Sequence, residues 1–524
     1  MTRGHGDGGP PHSPRSTTRD ECPGLMKLPV IPHHTPAPPE RLARRVPEQA
    51  KRLLDERPEL RIPEQFRPFV ARTTPAGPAL HLDDLSLISK PQGEEAQAAS
   101  LQDRARLRAG DGDFVLSVQD PPEGYETYCR DFLGLGAATW LRPRVPPGAD
   151  PRRLASLVWR DEDLRRLLSE VVHAGEVEHI HPHMGCRGVW ELALRLGEAT
   201  GRTLPVVAPP PALAALVNDK IAFRDVVVGL LGSEAVPPGE PAANLALLAA
   251  RVREFASLSP FVAVKVPDSA GGGGNIVLEA EPLRRLSLLG IRAQLDARLR
   301  AMGWSPGREL LVTAWESEVV GAPSSQLWIP PGAEGPPVVE GIFEQTLEGE
   351  TWRFVGARPA RLPAALAQEI TDASHLVALL FQRLGYVGRC SFDFILVGRR
   401  LEEARPRFIE CNGRWGGTSL PMTLMNRLFG DWKKQPFAVS RTSRRGLEDM
   451  PFEAVVAALD EDLFDVRRGS GRLVLYSPTR LETRGELHFV ALASKWEEVL
   501  ELAEKRVPRR VGWIHKQWRR RVRS

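Results

Sequence analysis

The chain has 524 residues, of which 42% are hydrophobic and 26% charged, and its formal net charge is +4. This composition is typical of a globular protein, and no apolar run approaches the roughly 20 residues that a membrane-spanning helix needs. Since acids nearly match bases, the charge predicts no overall attraction to nucleic acid. A domain usually takes about 100 to 200 residues, so we expect three or four structural units.

Residues 1–45 are rich in Pro, Gly, Ser, Thr and His and have little apolar periodicity. Such a segment buries too little apolar surface to offset the loss of chain entropy, and we expect a disordered leader. It lacks the apolar core of a secretory signal, so the default prediction is a cytoplasmic protein. The five cysteines include no CxxC pair and do not indicate a disulfide framework.

Short strands and amphipathic helices alternate before residue 210, which predicts an α/β domain over 46–210. Within it, the stretch HIHPH would place His179, His181 and His183 on one face if it is extended. Histidines so arranged can bind zinc, and a metalloenzyme is therefore one alternative. Pro182 and the lack of a carboxylate partner argue against it.

A second domain is predicted over 211–440, beginning with a helix, a strand, a glycine loop, another helix and further strands. Asn218 and Asp219 are candidates for the cap of its first helix, which is expected to end at Gly232. In the strand FVAVKV, alternation places Lys265 away from the valine face, directly before a loop.

That loop contains four consecutive glycines, Gly271, Gly272, Gly273 and Gly274. Glycine lets backbone amides approach an anion closely, so the loop is interpreted as a phosphate-covering flap beside Lys265. By itself the run would also fit a mobile surface loop. It matches neither GxxxxGK[ST] nor GxGxxG.

Two later runs, residues 388–398 and 406–414, predict antiparallel strands joined by a polar loop. If Ile395 lies opposite Phe408, then Asp393 lies opposite Glu410, with Asn412 two residues further on the same face. Carboxylate and amide oxygens are the ligands that Mg²⁺ prefers. The three side chains therefore predict a magnesium site.

The alternative for this hairpin is that its carboxylates form ordinary ion pairs with Arg389 and Arg407. Beyond the hairpin, Arg414 offers a planar, permanently charged group suited to phosphate or to a developing oxyanion. Gly416 and Gly417 would allow the backbone to approach a ligand there.

After residue 440, three apolar segments and a helix at about 495–505 predict a small α/β appendage over 441–524. Its last 18 residues, VPRRVGWIHKQWRRRVRS, are rich in arginine. This basic tail is either a solvated helix face or a patch for an anionic partner.

The ordered motifs NDK (218–220), AVKVPDSAGGGGN (263–275), VTAWESE (312–318), FDFILV (392–397) and FIECNGRWGG (408–417) together resemble the ATP-grasp superfamily. Within it, SSQLWIP at 324–330 and ECNGRWGGTS at 410–419 resemble the pheganomycin-type peptide ligase branch. The resemblance implies an α/β (α+β) fold in which two lobes hold ATP between antiparallel sheets. A pre-ATP-grasp domain would precede it and a small domain would follow.

The resemblance also implies roles for particular residues. Lys220 and Lys265 would contact ATP phosphates under the Gly271–Gly274 flap. Trp315 and Glu316 would form the adenine segment, and Glu318 would bind ribose. Asp393, Glu410 and Asn412 would hold Mg²⁺, with Mn²⁺ as a substitute, and Arg414 would steady the transferred phosphate.

The activity implied is an ATP-dependent carboxylate–amine ligase that forms an amide through an acyl phosphate, with amino acid or peptide substrates. A homodimer is compatible with the sequence, and no membrane partner is expected. An alternative is an ATP-binding regulatory or partner-binding protein with a degraded site. The complete set of Lys265, Asp393, Glu410, Asn412 and Arg414 argues against that alternative.

Overall fold

The computed structural model describes residues 32–88, 95, 99–269, 274–302, 304, 306–349 and 353–523. These residues form a mixed α/β fold built on three sheets, which confirms the predicted fold class. The strands are β1 Ala79–Leu82, β2 Phe114–Leu116, β3 Thr139–Leu141, β4 His179–Pro182, β5 Gly239–Ala242, β6 Phe261–Lys265, β7 Asn275–Glu279, β8 Leu310–Ala314, β9 Val319–Gly321, β10 Pro323–Ile329, β11 Val338–Glu348, β12 Arg353–Pro359, β13 Gly388–Val397, β14 Arg405–Asn412, β15 Phe437–Ser443, β16 Leu473–Tyr476 and β17 Glu486–Leu492.

The α-helices of the described residues run over Glu40–Ala43, Arg45–Glu56, Tyr125–Thr127, Leu154–Arg160, Glu162–Ala174, Arg187–Thr200, Pro211–Asn218, Lys220–Leu231, Leu245–Leu258, Ala280–Arg285, Leu288–Ala301, Ala364–Arg383, Ser419–Phe429, Phe452–Leu459, Pro478–Arg484, Trp496–Glu501 and Val507–Arg523. The helix predicted at about 281–302 is thus two helices. Ser287 lies between them and its side chain caps the second one.

The first sheet is parallel, with the order β3-β2-β1-β4. Helices pack on it around a core that includes Leu80, Ile180 and Trp190, all fully buried. Parallel sheets are covered on both faces, which explains why the short strands are buried at nearly every position. This is the α/β arrangement expected before residue 210.

The second sheet is small and antiparallel, with the order β5-β8-β6-β7. Lys265 at the end of β6 pairs with Asn275 at the start of β7. The glycine run therefore connects two neighbouring strands next to Lys265. Gly271, Gly272 and Gly273 lie outside the described residues.

The third sheet is the largest, with the order β14-β13-β10-β11-β12-β15-β17-β16 and with β9 beside β13. Helices Lys220–Leu231 and Ala364–Arg383 cover it, and their Phe223 and Phe381 pack against Phe392 of β13. The strand that carries Asp393 is thus anchored on one face by a large aromatic cluster. Its other face lines the cavity described below.

The prediction of a disordered leader is wrong for residues 32–45. The backbone amide of His33 donates to the carbonyl of Val339, and the His33 ring stacks on Trp432 at 5.3 Å. The next helix, Arg45–Glu56, buries Val46 and Leu53 in the core of the large sheet rather than in the preceding domain. The few apolar side chains of this segment are complementary to an existing surface, so they do not need a core of their own. Residues 1–31 lie outside the described residues.

The predicted boundary at 440 falls inside strand β15, and the segment after it extends the large sheet instead of forming a separate appendage. Among the described residues, β12 and β15 are joined by one register pair, Ala357 with Val439. Gly356 permits this approach, because a Cβ there would lie 2.2 Å from the Val439 carbonyl oxygen. The boundary at 210 coincides with the start of helix Pro211–Asn218.

The basic tail forms helix Val507–Arg523, which buries Val511 and Ile514. It exposes Trp513 together with Arg509, Arg510, Lys516, Arg519, Arg520 and Arg521. In the part of the chain that the structure describes, no helix has both the length and the apolar character needed to cross a bilayer. The cytoplasmic location and the homodimer stay predictions. Cys129, Cys186, Cys390 and Cys411 are buried free thiols, and Cys22 lies outside the described residues.

Candidate active site

The carboxylate hairpin has the predicted central pairing, with Asp393 of β13 opposite Glu410 of β14. The expected pairing of Ile395 with Phe408 is wrong, because the register shifts by one residue directly beside the site. Phe408 faces Phe394, which leaves Ile409 as the extra residue of a β-bulge. Bulges bend a strand and re-aim its side chains, and this one lies immediately before Glu410.

Asp393 is held by two neutral donors. The Ser324 hydroxyl donates to its Oδ1 at 2.6 Å, and the Asn412 amide donates to its Oδ2 at 3.0 Å. Burial and the nearby charge of Glu410 raise the pKa of Asp393 to about 7. The three predicted oxygen donors therefore converge, and Ser324 joins them as a residue that the sequence analysis missed.

Glu410 lies 2.8 Å from the Nζ of Lys220. Burial alone would raise its pKa, but the attraction of Lys220, Arg414 and Lys265 lowers it. Of the alternative, in which the carboxylates form ordinary ion pairs with nearby arginines such as Arg389 and Arg407, these two partners are wrong, since they contact Glu340 and Glu316, and the ion pair of Glu410 is with Lys220.

The chemistry of this donor set fits a magnesium ion. Two adjacent carboxylates and an amide supply hard oxygen ligands, and burial together with the charge of Glu410 raises the pKa of Asp393, so a cation there would stabilise its ionised form. Mg²⁺ commonly binds few protein groups and completes its shell with water and phosphate oxygens.

Two lysines face the carboxylates. Lys265 is buried, and this burial lowers its pKa to about 8, with Glu410 opposing the shift and Lys220 adding to it. Lys220 also donates to the backbone oxygen of Ser269 at 2.7 Å, at the base of the glycine loop. A Cβ at Gly274 would lie 1.9 Å from the Ser269 hydroxyl, so this end of the loop has no room for another residue type.

Arg414 is positioned by Asn218. The side-chain oxygen of Asn218 accepts from Arg414 Nη1 at 2.5 Å and from the amide of Gly413 at 3.1 Å. Of the two candidate caps, Asp219 alone caps helix Lys220–Leu231, accepting from Ile221 and Ala222. The sequence analysis identified Asn218 but assigned it the wrong role.

Trp315 and Glu316 line the cavity beside the apolar side chains of Phe261 and Phe394, as an adenine segment would. Glu318 does not line it. Its side chain is 54% exposed and pairs with Arg399 at 3.0 Å. Alternation along the chain turns it outward, so the ribose assignment loses its geometric basis.

The cavity has a volume of about 1180 Å³. Residues on or beside all three sheets line it, and Asp83, Arg108 and His183 come from the first domain. The amide of Trp415, next to Arg414, donates to the carbonyl of His183 at 3.0 Å. The first domain therefore closes one side of the cavity and contacts the segment that directly follows β14.

The three histidines of HIHPH lie on or beside the extended strand β4, where His179 and His181 are neighbours with ring centroids 6.4 Å apart and His183 has a different partner. His181 packs against His81 and Trp415, and His183 lies 3.6 Å from Asp83. Burial lowers the pKa of His179 to about 4 and that of His183 to about 3. No group of three His, Cys, Asp or Glu side chains suited to a metal occurs in the described ranges, so the metalloenzyme alternative has no site there.

Comparison with known proteins identifies part of the chain. Residues 102–198 match the family model described as the Pre ATP-grasp domain, inside the region predicted to be that domain. A comparison with curated proteins gives no significant match.

Among solved structures, the chain is similar to an ADP complex of N5-carboxyaminoimidazole ribonucleotide synthetase, with 12% identity over 87% of this chain and 98% of that chain and a TM-score of 0.49. It is also similar to the biotin carboxylase domain of 2-oxoglutarate carboxylase from Hydrogenobacter thermophilus, with 15% identity over 81% and 88% of the chains and a TM-score of 0.45. D-alanyl-alanine synthetase A from Vibrio cholerae gives 13% identity over 48% and 71% and a TM-score of 0.34.

Proposed function

We propose that the protein is an ATP-dependent ligase of the ATP-grasp type that joins a carboxylate to an amine. The observation that carries this proposal is the convergence of Asp393, Glu410 and Asn412 with two buried lysines at one end of a large cavity. Carboxylates that would hold a divalent cation, beside lysines that would contact phosphates, are complementary to a magnesium-bound nucleoside triphosphate. The match of residues 102–198 to the Pre ATP-grasp domain supports the same proposal.

In this proposal Asp393, Glu410 and Asn412 hold Mg²⁺, which neutralises phosphate charge when it is bound. Lys265 and Trp315 both line the cavity. Lys265 is buried, and its Nζ lies 6.0 Å from the centroid of the Trp315 ring. It therefore lies between the adenine segment and the carboxylates, where the phosphates of ATP would pass. When a cation replaces Lys220 as the partner of Glu410, the Lys220 ammonium group is free to bind a phosphate oxygen.

The reaction proceeds in two displacements. An oxygen of the substrate carboxylate attacks the γ-phosphorus of ATP, and ADP leaves as the acyl phosphate forms. The amine then attacks the acyl carbon, inorganic phosphate leaves, and the amine loses a proton to give the amide. Arg414, oriented by Asn218, stabilises the oxyanion that develops in each step. We further propose amino acid or peptide substrates, a finer assignment that rests on the resemblance of residues 324–330 and 410–419 alone.

The test is ADP release from ATP and Mg²⁺ with a panel of amino acids and short peptides, followed by mass spectrometry of the products. We expect a dehydrated conjugate that forms only with ATP. Glu410→Gln and Lys265→Ala should each lower its formation by about 100-fold or more, since charge stabilisation of the transition state is lost. Glu402→Gln, in the exposed turn between the same two strands, is the matched control.

Circular dichroism should show that the variants stay folded. Undiminished turnover in purified Glu410→Gln would refute the site assignment. ATP binding without ADP release across the whole panel would instead favour the regulatory alternative.

A further inference from the structure

The cavity extends beyond the carboxylates to a second end that the proposed reaction does not use. Five arginines line this end, and we call them the arginine wall: Arg104, Arg353, Arg441, Arg480 and Arg484. They come from the first domain, from strands β12 and β15, and from helix Pro478–Arg484. The wall is thus assembled by the fold from distant parts of the chain.

The wall is held in place from behind by Glu486, which is 8% exposed and does not line the cavity. Its carboxylate lies 2.9 Å from Arg480, 3.5 Å from Arg441 and 3.5 Å from Arg484. One carboxylate therefore orients three guanidinium groups, so positive charge exceeds negative charge among these contacts, and Glu348, opposite Arg353 in the β11–β12 register, offsets part of this excess. These contacts reduce the entropy that the arginines would lose on binding a ligand.

Arg104 is fixed separately. Its Nε donates to the hydroxyl of Ser477 at 2.6 Å, and its guanidinium lies over the ring of Tyr476 at 5.7 Å. These two partners are a hydroxyl and an aromatic ring, and neither carries a charge. The buried carboxyl of Asp103 interacts with Arg104, but burial raises the pKa of Asp103 to about 6. Asp83, which lines the cavity, is paired with Arg108 at 2.6 Å.

Mutual repulsion is consistent with this excess of charge. Burial lowers the pKa of Arg480 to about 10, and Arg104, Arg484 and Arg353 lower it further against the opposing effect of Glu486. Burial likewise lowers the pKa of Arg441, again with a contribution from Arg353. Guanidinium groups remain charged at neutral pH, so the wall is cationic when a ligand arrives.

The volume of the cavity also indicates room for a second ligand. Single small-molecule sites usually occupy about 300 to 1,000 Å³, and this cavity has about 1180 Å³. It therefore has room for a nucleotide at the carboxylates and for a second molecule toward the arginines.

We propose that the arginine wall binds an additional oxyanion, a carboxylate or a phosphate ester, on the small-molecule substrate that enters alongside ATP. This inference extends the proposed function and rests on it, because the bound molecule is a substrate only if the protein is the proposed ligase. Guanidinium groups bind both oxyanions through paired, charge-assisted hydrogen bonds, and three arginines oriented on one carboxylate form a prearranged receptor for them. The substrate is thus acidic beyond the carboxylate that reacts.

The test begins with binding alone, using titration calorimetry on the full chain with citrate as the carboxylate probe and inorganic pyrophosphate as the phosphate probe. We expect at least one probe to bind the wild type and to bind Arg353→Gln/Arg484→Gln at least tenfold more weakly. Arg445→Gln, an exposed arginine just after β15, should keep the affinity of the wild type for both probes, and Lys265→Gln at the nucleotide end should keep the wild-type affinity for citrate. Arg353→Gln alone serves if the double variant does not fold, since Arg353 is exposed.

Citrate binding that is lost in Lys265→Gln, or equal affinity of both probes for the wild type and the arginine variants, would overturn the inference. The calorimetric result does not depend on turnover. Loss of ADP release with intact anion binding would therefore refute the ligase alone. Intact ADP release without anion binding at the wall would refute this inference alone.

Discussion

Replacing Glu486 with glutamine should destabilise the protein by an amount that depends on pH. The side chain is 8% exposed, and its contacts with His488, Arg480 and Arg441 outweigh burial and lower its pKa from 4.5 to about 2. Such a shift corresponds to on the order of 3 kcal/mol of stability at pH 7. Glutamine keeps the size and a hydrogen-bonding oxygen but removes the charge that offsets the repulsion between the arginines.

The sign of the pH dependence follows from the lowered pKa. The stabilisation is fully present above the unfolded pKa of 4.5 and is lost as the pH falls toward about 2. Urea denaturation of the wild type and Glu486→Gln should therefore show a difference that is constant from pH 7 to pH 5 and shrinks below it. Glu497→Gln, an exposed acid on helix Trp496–Glu501, should change stability by less than about 0.5 kcal/mol. Equal stability of Glu486→Gln and wild type at pH 7 would refute the reasoning, as would a difference unaffected by acid.

Three further predictions concern the site and its support. Asn218→Ala removes the charge-assisted hydrogen bond to Arg414, which is worth about 1.5 to 3 kcal/mol. The kcat for product formation should therefore fall about 10- to 100-fold while the circular dichroism spectrum stays unchanged. An unchanged kcat would contradict this prediction. ATP affinity should weaken about fivefold between pH 8 and pH 9 as Lys265 loses its proton, and Lys265→Arg should remove this dependence, which binding titrations at both pH values can check. Trp415→Ala should lower the free energy of unfolding by about 3 to 5 kcal/mol in urea denaturation, because the ring is 3% exposed and lies between Arg108 and Arg389; a loss below about 1 kcal/mol would contradict it.

Much of the site could be predicted because its central residues lie on long strands with regular alternation. Asp393 and Glu410 lie on neighbouring strands of ten and eight residues, and the apolar pattern of each strand sets which side chains share a face. The bulge at Ile409 could not be predicted, because one extra residue beside an apolar stretch leaves the local pattern intact. The pairing of Asp393 with Glu410 was predicted correctly, although the register assumed beyond that pair, Ile395 opposite Phe408, is wrong.

Contacts between distant segments account for what the sequence analysis missed. The role of Asn218 depends on Arg414, 196 residues further along the chain, whereas its position before a helix favoured capping. The arginine wall has no sequence motif, since its members become neighbours only when β12, β15 and helix Pro478–Arg484 assemble. Similarly, the composition of residues 32–45 predicted disorder because it contains no information about the surface that Trp432 and Val339 provide.

The junction between β12 and β15 has a mechanical consequence. A sheet resists bending through its ladder of paired residues, and the described part of this ladder contains one pair, Ala357 with Val439. Within the described residues the junction has fewer register pairs than any other strand junction of the large sheet, so this line across the sheet offers the least resistance to bending from the ladder. Arg353 and Arg441 lie on its two sides, so a rotation of a few degrees about this line would change the spacing of their guanidinium groups while leaving the strands that carry Asp393 and Glu410 undistorted. The protein could in this way adjust to anions of different size without disturbing the nucleotide end of the cavity.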